Sequence, residues 1–357
     1  MNRDLLFFTL DRIPGLKSGE KILIAEVYSS GWDGQSSVNP VSHGENILFH
    51  PDKSCRDKLA LSRHGIESII CRKLKNSWNL SQWEEAGRRD WEVCHASGIE
   101  YTLYTSPDYP PQLREIFDPP LIMYYRGTLP DYDKPMLGVV GTRYPTGRGR
   151  NEAFRTGLVM GSRGVAVVSG LARGIDLAAH LGNISSGGRT VAVLAGGLDR
   201  VYPQMNEDTA RRILKSGGCL LSEYPPGTLP RKYHFPARNR IVSGLSRSVV
   251  VIEAPAKSGA LITADFAAEQ GRDLWVHDVN MESPCGAGGR RLLDDGATLF
   301  DKAEEILVEW WDYSLSYEKA LIKNREKNVG ERSALLMEKE LEGELVQYQG
   351  EYFRRIR

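Results

Sequence analysis

The stretch Val165-Ala-Val-Val-Ser-Gly-Leu-Ala-Arg-Gly-Ile-Asp176 joins a short apolar run to a glycine-containing turn and then to a helical segment. The run has no alternation of polar and apolar residues, which is typical of a strand covered on both faces in a parallel sheet. Similar runs recur along the chain at 137–140, 190–194, 219–221, 248–252 and 273–276. Because glycine-punctuated helical segments separate these runs, the sequence predicts an α/β fold with a Rossmann-like, doubly wound and mostly parallel sheet.

The composition and residue pattern of the sequence change twice along the chain. A chain of 357 residues is also long enough for two or three domains. We predict a small helical N-terminal domain over 1–98, with helical periodicity clearest at 81–96. The Rossmann-like domain is expected at 99–305. A charged and helical C-terminal region, 306–357, is expected to form a short, incomplete winged helix.

A Pro14-Gly15 turn joins two apolar helical stretches near the start of the chain. This turn is similar to a helix-hairpin-helix turn, which binds phosphate, but Lys17 stands where the second glycine would be. An ordinary connection between two helices is therefore the favoured interpretation.

Composition is that of a soluble globular protein, with 41% hydrophobic and 26% charged residues. Lys and Arg total 46 and so do Asp and Glu, yet a local basic groove on a neutral protein can still bind nucleic acid. The five cysteines are scattered without a C-x-x-C motif, which disfavours a disulfide framework and a zinc cluster. No signal-peptide pattern or membrane-length apolar run is present. We therefore expect a cytoplasmic protein with no membrane contact.

Glycine-containing turns follow five of the predicted strands, at 141–148, 169–176, 195–199, 222–227 and 253–260. In open α/β sheets, ligands bind beyond the carboxyl ends of the strands. Glycines there let main-chain N–H groups approach an anion, and the helices that follow add their dipoles. Arginines lie in or near these turns, namely Arg143, Arg173, Arg238 and Arg240. The sequence therefore predicts an anion-binding rim.

The run Lys232-Tyr-His-Phe-Pro-Ala-Arg-Asn-Arg240 concentrates cations, an amide and an aromatic ring in nine residues. Guanidinium groups suit phosphates, and a flat ring suits an unstacked base. We expect Pro236 to lie outside a helix and to place Phe235 at the rim. The run offers no obvious nucleophile or paired acid and base, so binding is favoured over catalysis.

Several common catalytic and cofactor motifs are absent from the sequence. There is no G-x-x-x-x-G-K-[ST] loop, no dinucleotide G-x-G-x-x-G fingerprint and no G-x-S-x-G elbow. We therefore expect no catalytic residue, no metal and no cofactor.

Many short motifs occur together in one order and spacing between residues 101 and 297. They include Asp108-Tyr-Pro110, Val140-Gly-Thr-Arg143, Ser169 to Asp176, Gly197-Leu-Asp199, Tyr202-Pro203, Phe235 to Ile241, Glu253-Ala254 and Ser258 to Ala264. In this arrangement the chain resembles the DNA-processing protein A (DprA, also called Smf) family. The resemblance implies a homodimer without catalytic activity that binds single-stranded DNA. It also implies that the protein protects incoming DNA and helps to load a RecA-type recombinase during natural transformation and recombination.

The resemblance and the glycine turns give one set of predicted DNA contacts: Arg143, Ser169, Gly170, Arg173, Lys232, Phe235, Arg238, Asn239, Arg240, Ser258 and Gly259. The resemblance implies that Phe235 stacks a base and that Lys232 and Arg143 hold phosphates. Ser169 and Gly170 would contribute main-chain donors.

The chain departs from the family pattern at 277–279 and 288–291, where the family usually has a Pro-Gly turn and a Gly-Thr-Asn loop. Arg290 and Arg291 could replace the contacts of that loop electrostatically. Near the C-terminus, residues 335–353 are similar to the last helix and the hairpin wing of the family's winged helix.

Structural roles compete with functional ones at several positions. Arg238 and Arg240 could bridge to Glu223 or Glu253, and for Arg240 this alternative is as strong as DNA contact. His180 is expected to be structural.

The acidic residues of the strand-end turns are also expected to be structural. Asp176 and Asp199 are expected to orient loops. Glu223 and Glu253 could be a carboxylate pair, but capping is the commoner role for such residues.

An enzyme of the nucleoside-monophosphate phosphoribohydrolase type is the alternative function on the same fold. Those enzymes pair a Pro-Gly-Gly-x-Gly-Thr loop with a glutamate. This chain has Ala-Pro-Ala-Lys-Ser-Gly-Ala at 254–260 instead, which favours the DNA-binding function.

Overall fold

The computed structural model of the protein describes residues 3–29, 61–310, 345–348 and 351–354. Four helices come first in these residues: α1 (Arg3–Arg12), α2 (Ser18–Ser29), α3 (Arg63–Ile69) and α4 (Leu80–Ser97). Helix α4 confirms the helix predicted at 81–96, and the Pro14-Gly15 turn connects α1 to α2 as expected. Helices α1 and α4 cross so closely that a Cβ on Gly87 would lie 2.8 Å from the main chain of Phe8.

Within the described residues, nine strands form one mostly parallel sheet. They are β1 (Glu100–Leu103), β2 (Ile122–Gly127), β3 (Met136–Val140), β4 (Ala166–Ser169), β5 (Val191–Val193), β6 (Cys219–Ser222), β7 (Ser248–Val251), β8 (Asp273–His277) and β9 (Thr298–Phe300). The spatial order is β1-β2-β6-β5-β4-β3-β7-β8-β9. Strands β3 to β9 are parallel, whereas β1 and β2 are antiparallel to their neighbours. All six predicted apolar runs are strands, and the predicted fold class is confirmed.

Helices cover both faces of the sheet. They are α5 (Pro111–Arg114), α6 (Gly147–Ser162), α7 (Ile175–Ser185), α8 (Glu207–Lys215), α9 (His234–Leu245), α10 (Gly259–Glu269), α11 (Val279–Glu282) and α12 (Ala287–Asp294). Helices α6 and α7 pack with Leu137 and Val139 of β3 on one face. Helices α9 and α10 pack with Met136 and Val140 on the other. The apolar runs lack polar alternation because both faces of each strand are buried.

The order of the strands reverses beside β3. From β3 the chain builds β4, β5 and β6 on one side, and then returns to place β7 on the other side. At such a switch point the loops after the two central strands diverge to opposite faces of the sheet and leave a crevice between them. The carboxyl ends of β3 and β7 therefore mark the expected ligand site.

Helices α6 and α7 cross at two glycines with almost no space between their backbones. A Cβ on Gly182 would lie 1.9 Å from the carbonyl oxygen of Phe154, and a Cβ on Gly157 would lie 2.1 Å from that of Ala179. These helices begin after the turns that follow β3 and β4. The two turns are themselves in contact, since the N–H of Ile175 donates to the carbonyl oxygen of Thr142 at 3.3 Å.

The chain after β9 is described in part. Residues 303–310 are helical, and the indole of Trp310 donates a hydrogen bond to Ser248 at 2.8 Å. Strands β10 (Leu345–Tyr348) and β11 (Glu351–Arg354) pair antiparallel, in agreement with the hairpin predicted near the C-terminus. The helix predicted before this hairpin lies outside the described residues, and the division into three domains stays a prediction. In the parts of the chain that are described, no helix is long and apolar enough to cross a membrane.

Candidate nucleic-acid interface

A groove of about 650 Å³ lies at the switch point between β3 and β7. The turn after β3, the turn after β4 and the first turns of α9 and α10 form its walls. Eight of the predicted contacts line it: Arg143, Gly170, Lys232, Phe235, Arg238, Asn239, Ser258 and Gly259. Fold and local sequence therefore point to the same place, because the predicted rim and the topological switch coincide.

Arg143 and Phe235, which both line this groove, contact each other. The guanidinium carbon of Arg143 lies 5.5 Å from the centre of the Phe235 ring, within the range of a cation–π interaction. Tyr202 flanks the same ring, with 5.9 Å between ring centres. Phe235 is half-buried, whereas Arg143 and Lys232 are exposed. The groove thus presents two solvent-facing cations, Arg143 and Lys232, together with a half-buried aromatic ring.

Pro236 lies in the first turn of α9, so the prediction that it lies outside a helix is wrong. An N–H group in the first turn of a helix has no acceptor within the helix, and proline is tolerated there. The helix begins at His234, and Phe235 nevertheless faces the groove. Phe235 therefore lines the groove from the first turn of a helix, whereas the sequence predicted a loop at this position.

Arg238 points inward and is 5% exposed. Its guanidinium donates to the carbonyl oxygen of Gly170 at 2.8 Å and to that of Val193. Burial lowers the pKa of Arg238 to about 10, although the nearby Asp176 carboxylate opposes this change. A Cβ on Gly170 would lie 2.4 Å from the guanidinium, so any larger residue at position 170 would displace the Arg238 side chain. Arg238 ties α9 to the ends of β4 and β5, and its partners are carbonyls, not the glutamates suggested from sequence.

Arg240 is also buried, at 7% exposure. It makes a bidentate contact with Glu223, with N···O distances of 2.8 and 2.7 Å, and its Nε donates to the carbonyl oxygen of Asp118 at 2.9 Å. Of the two alternatives for Arg240, the structure supports the bridge to Glu223. The predicted DNA contact is corrected because this guanidinium is already paired beneath the surface.

Two further predicted contacts have internal partners. Ser169 is 0% exposed, and its hydroxyl donates to the carbonyl oxygen of Val139 at 2.6 Å. The N–H of Gly170 donates to Asp176 at 3.1 Å, and that of Ala172 donates to the same oxygen at 3.2 Å. The N–H of Gly170, predicted to be a main-chain donor to DNA, is therefore engaged within the protein, whereas the main-chain donor at Ser169 stays a prediction. As expected, Asp176 orients this turn.

The remaining strand-end carboxylates also organise loops. Asp199 accepts the N–H of Gly227 at 2.7 Å. Glu253, at 0% exposure, accepts the N–H of Thr146 at 2.8 Å and the hydroxyl of Ser283. Since Glu253 contacts Thr146 and Ser283, whereas Glu223 binds Arg240, the two glutamates do not form an acid–base pair.

The start of α10 forms the wall opposite Arg143. Ser258 caps this helix by accepting the N–H of Ala260 at 3.2 Å. Gly259 is exposed, and a Cβ there would meet no atom within 4 Å. Asn239 donates to the carbonyl oxygen of Gly259 at 3.3 Å, which links α9 to α10. Lys257, which was not predicted from sequence, adds an exposed cation to this wall.

Arg173 stands beside the groove and lies over Tyr144, with 5.5 Å from its guanidinium carbon to the ring centre. Tyr144 was also absent from the predicted set. Its position in the glycine turn, next to Arg143, was the only signal in the sequence that could have identified it.

The divergent 277–291 segment does not supply a pair of free arginines. Arg290 donates to the carbonyl oxygens of Asn280 at 2.5 Å and Ser283 at 3.2 Å, so it stabilises its own turn. Arg291 lies 3.6 Å from Asp295 on the surface of α12. Arg290 is therefore engaged within its own segment, and the structure does not support the suggestion that it replaces the contacts of the family's Gly-Thr-Asn loop.

His180 is structural, as predicted, since it is 0% exposed and hydrogen-bonded to Thr190 at 2.6 Å. It lies on α7 and is not among the residues that line the groove.

A family model described as DNA recombination-mediator protein A matches residues 100–311. The chain belongs to this family. It is 39% identical over 252 residues to the DNA processing protein DprA of Bacillus subtilis, which covers 70% of this chain and 84% of that protein. It is also 39% identical over 203 residues to DprA of Streptococcus pneumoniae, with 57% of this chain and 71% of that protein covered.

Solved structures of DprA proteins share the fold. The X-ray structure of Streptococcus pneumoniae DprA has a TM-score of 0.65 and 29% identity, with 85% of this chain and 96% of that chain covered. A structure of Helicobacter pylori DprA that concerns its single-stranded DNA binding mode has a TM-score of 0.54 and 27% identity, with 59% and 95% covered. The resemblance drawn from the sequence motifs is thus confirmed.

Proposed function

We propose that the protein binds single-stranded DNA in the groove at the β3–β7 switch point. The observation that carries this proposal is the contact between the exposed Arg143 and the Phe235 ring in a groove that Lys232 also lines. Family membership and the DNA-binding relative from Helicobacter pylori support it.

The arrangement suits a flexible strand better than a duplex. Lysine and arginine at the groove would neutralise phosphates without reading sequence. Unpaired bases can stack on an aromatic ring or on a guanidinium plane, whereas the bases of a duplex are already stacked on one another. The pair formed by Arg143 and Phe235 offers both kinds of surface.

As a recombination mediator, the protein would protect incoming single strands in the cytoplasm and help to load a RecA-type recombinase during DNA uptake. A homodimer would present two grooves to one strand and so raise its avidity.

A competition assay tests the proposed preference for single strands and the proposed loading of the recombinase. Single-stranded DNA should displace duplex of equal length, and recombinase added second should nucleate faster on the pre-bound strand than on strand alone. Duplex preference, or slower nucleation, would contradict the proposal.

Removing either groove cation should weaken DNA binding and its dependence on salt. We expect Arg143→Ala and Lys232→Ala each to cost about 1.5–3 kcal/mol of binding free energy, as for hydrogen bonds to charged groups. Each should also reduce the slope of log K against log salt by about 0.7, the value for one phosphate contact on a single strand. Fluorescence anisotropy with a labelled oligonucleotide at several salt concentrations measures both quantities.

Arg163 and Lys215 provide matched controls for this experiment. Both are exposed and lie at the ends of α6 and α8, at the opposite edge of the sheet. Arg163→Ala and Lys215→Ala remove the same charges, so they should leave affinity and slope close to those of the wild type. An equal loss in all four variants would indicate a net-charge effect and argue against the groove.

We further propose that the groove binds without turnover. Glu253 is fully buried and both of its oxygens are engaged, so it is not placed to attack or protonate a nucleotide. Incubation with nucleoside monophosphates should release no free base on a chromatogram. Repeated turnover that disappears in Glu253→Gln would instead establish the phosphoribohydrolase alternative.

A further inference from the structure

Tyr144 is an exposed aromatic residue at the edge of the groove, in the turn after β3. Its side chain is 72% exposed and lines the groove beside Arg143. Hydrophobic stabilisation follows the apolar area removed from water, so this ring contributes little to the core. A role in the fold does not account for its position.

One face of the Tyr144 ring is covered by a cation. The guanidinium carbon of Arg173 lies 5.5 Å from the ring centre, within cation–π range. Because the residue remains 72% exposed, solvent reaches the rest of the ring. The pair resembles the contact between Arg143 and Phe235, but its aromatic ring is more open.

Direct contact between the turns after β3 and β4 fixes this pair in place. The N–H of Ile175 donates to the carbonyl oxygen of Thr142 at 3.3 Å. Gly174 has a φ of 82°, and a Cβ there would lie 2.4 Å from the same oxygen. The N–H of Tyr144 donates to the hydroxyl of Thr142 at 3.2 Å. The backbones that carry Tyr144 and Arg173 are therefore packed together.

We propose that Tyr144, backed by Arg173, is a second base-stacking position next to the Arg143–Phe235 pair. The inference rests on the proposed function and extends it, since the strand would place unpaired bases at two neighbouring positions. Arg143 and Tyr144 are adjacent in sequence but contact different partners, so one turn would serve both positions. Stacking on a ring is tolerant of sequence, and the second position would add affinity without base preference.

The test compares an oligothymidine with an abasic oligonucleotide of equal length, which keeps the phosphates and lacks the bases. Tyr144→Ala should weaken oligothymidine binding by about 5- to 150-fold, the range for loss of one stacked base, and should leave abasic binding unchanged. Tyr144→Phe keeps the ring and should bind like the wild type. Arg143→Ala should weaken both ligands because it removes a phosphate contact.

Circular dichroism should show unaltered folding in every variant. If Tyr144→Ala binds oligothymidine like the wild type while Phe235→Ala binds weakly, the second position is overturned and the proposed function stands. Equal weakening of both ligands by Tyr144→Ala would also overturn it, since the residue would then act on the backbone of the strand or on the turn. Failure of the wild-type protein to bind either ligand would refute the proposed function, and this inference with it.

Discussion

Replacement of Arg240 by alanine should lower the free energy of unfolding by about 3–5 kcal/mol, the usual cost of removing one partner from a buried ion pair. The variant would leave the Glu223 carboxylate without its bidentate partner, at a site where Arg240 is 7% exposed. The carbonyl oxygen of Asp118 would lose its donor as well. Urea denaturation monitored by tryptophan fluorescence measures the loss.

A double variant distinguishes the contribution of the Arg240–Glu223 ion pair to stability from the contribution of the packing around it. Arg240→Met with Glu223→Leu removes both charges and keeps apolar volume, and such replacements are often close to neutral. We therefore expect the double variant to be more stable than Arg240→Ala. A single variant that unfolds like the wild type but binds DNA weakly would instead assign Arg240 to the interface.

Acid should destabilise the protein through His180, and this is the second large effect. The hydroxyl of Thr190 donates to the carbonyl oxygen of Val167 at 2.7 Å, so it accepts from Nδ1–H of His180 at 2.6 Å. The Nε2 atom is buried and has no hydrogen-bond partner among the residues that the structure describes. The imidazole is therefore neutral, with its proton on Nδ1.

Burial, with a smaller contribution from the charge of Arg238, lowers the pKa of His180 to about 3. In the unfolded chain the pKa returns to about 6.5, so below pH 6.5 the unfolded state binds more protons than the folded state. The free energy of unfolding then falls as pH falls from 6.5 towards 3, and it is unaffected by this group above pH 6.5. At pH 4.5 the loss should be about 2–3 kcal/mol.

The variant His180→Asn isolates this contribution, because its amide can still donate to Thr190 but cannot titrate in this range. The difference in unfolding free energy between wild type and variant should change with pH, while the shared carboxylates cancel. A difference independent of pH from 7 to 4.5 would contradict the prediction, as would an NMR titration of His180 near its ordinary pKa.

The sequence was sufficient for the central sheet because its strands are buried on both faces. Strands β3 to β8 are continuous apolar runs, and each follows from the residues alone. Strands β1, β2 and β9 were not predicted. Strands β1 and β9 are the two edge strands and have one neighbour each, and β1 mixes polar and aromatic residues in Glu100-Tyr-Thr-Leu103. Strand β2 pairs with β1 and β6 but is antiparallel to both, so it lies outside the repeating pattern of strand and helix.

The fold brings most of the residues predicted as DNA contacts into one groove, but their individual surroundings do not follow from the sequence. Arg143, Arg238 and Arg240 look alike in sequence, yet only Arg143 faces solvent. Arg238 is buried because folding brings it to the carbonyl oxygen of Gly170, which is 68 residues away along the chain. Whether a guanidinium meets a carbonyl, a carboxylate or water depends on such long-range neighbours. No local motif encodes that difference.

The crossing of α6 and α7 at Gly157 and Gly182 has a consequence for the thermodynamics of association. The two helix backbones are in contact there, and the N–H of Ile175 donates to the carbonyl oxygen of Thr142. The turns after β3 and β4 therefore cannot separate without breaking both that hydrogen bond and the packing between the helices. A strand that enters the groove would meet loops with little conformational freedom left to lose. The entropic cost of complex formation would then fall mainly on the nucleic acid, whose chain must become ordered, and on the few long side chains that hold it.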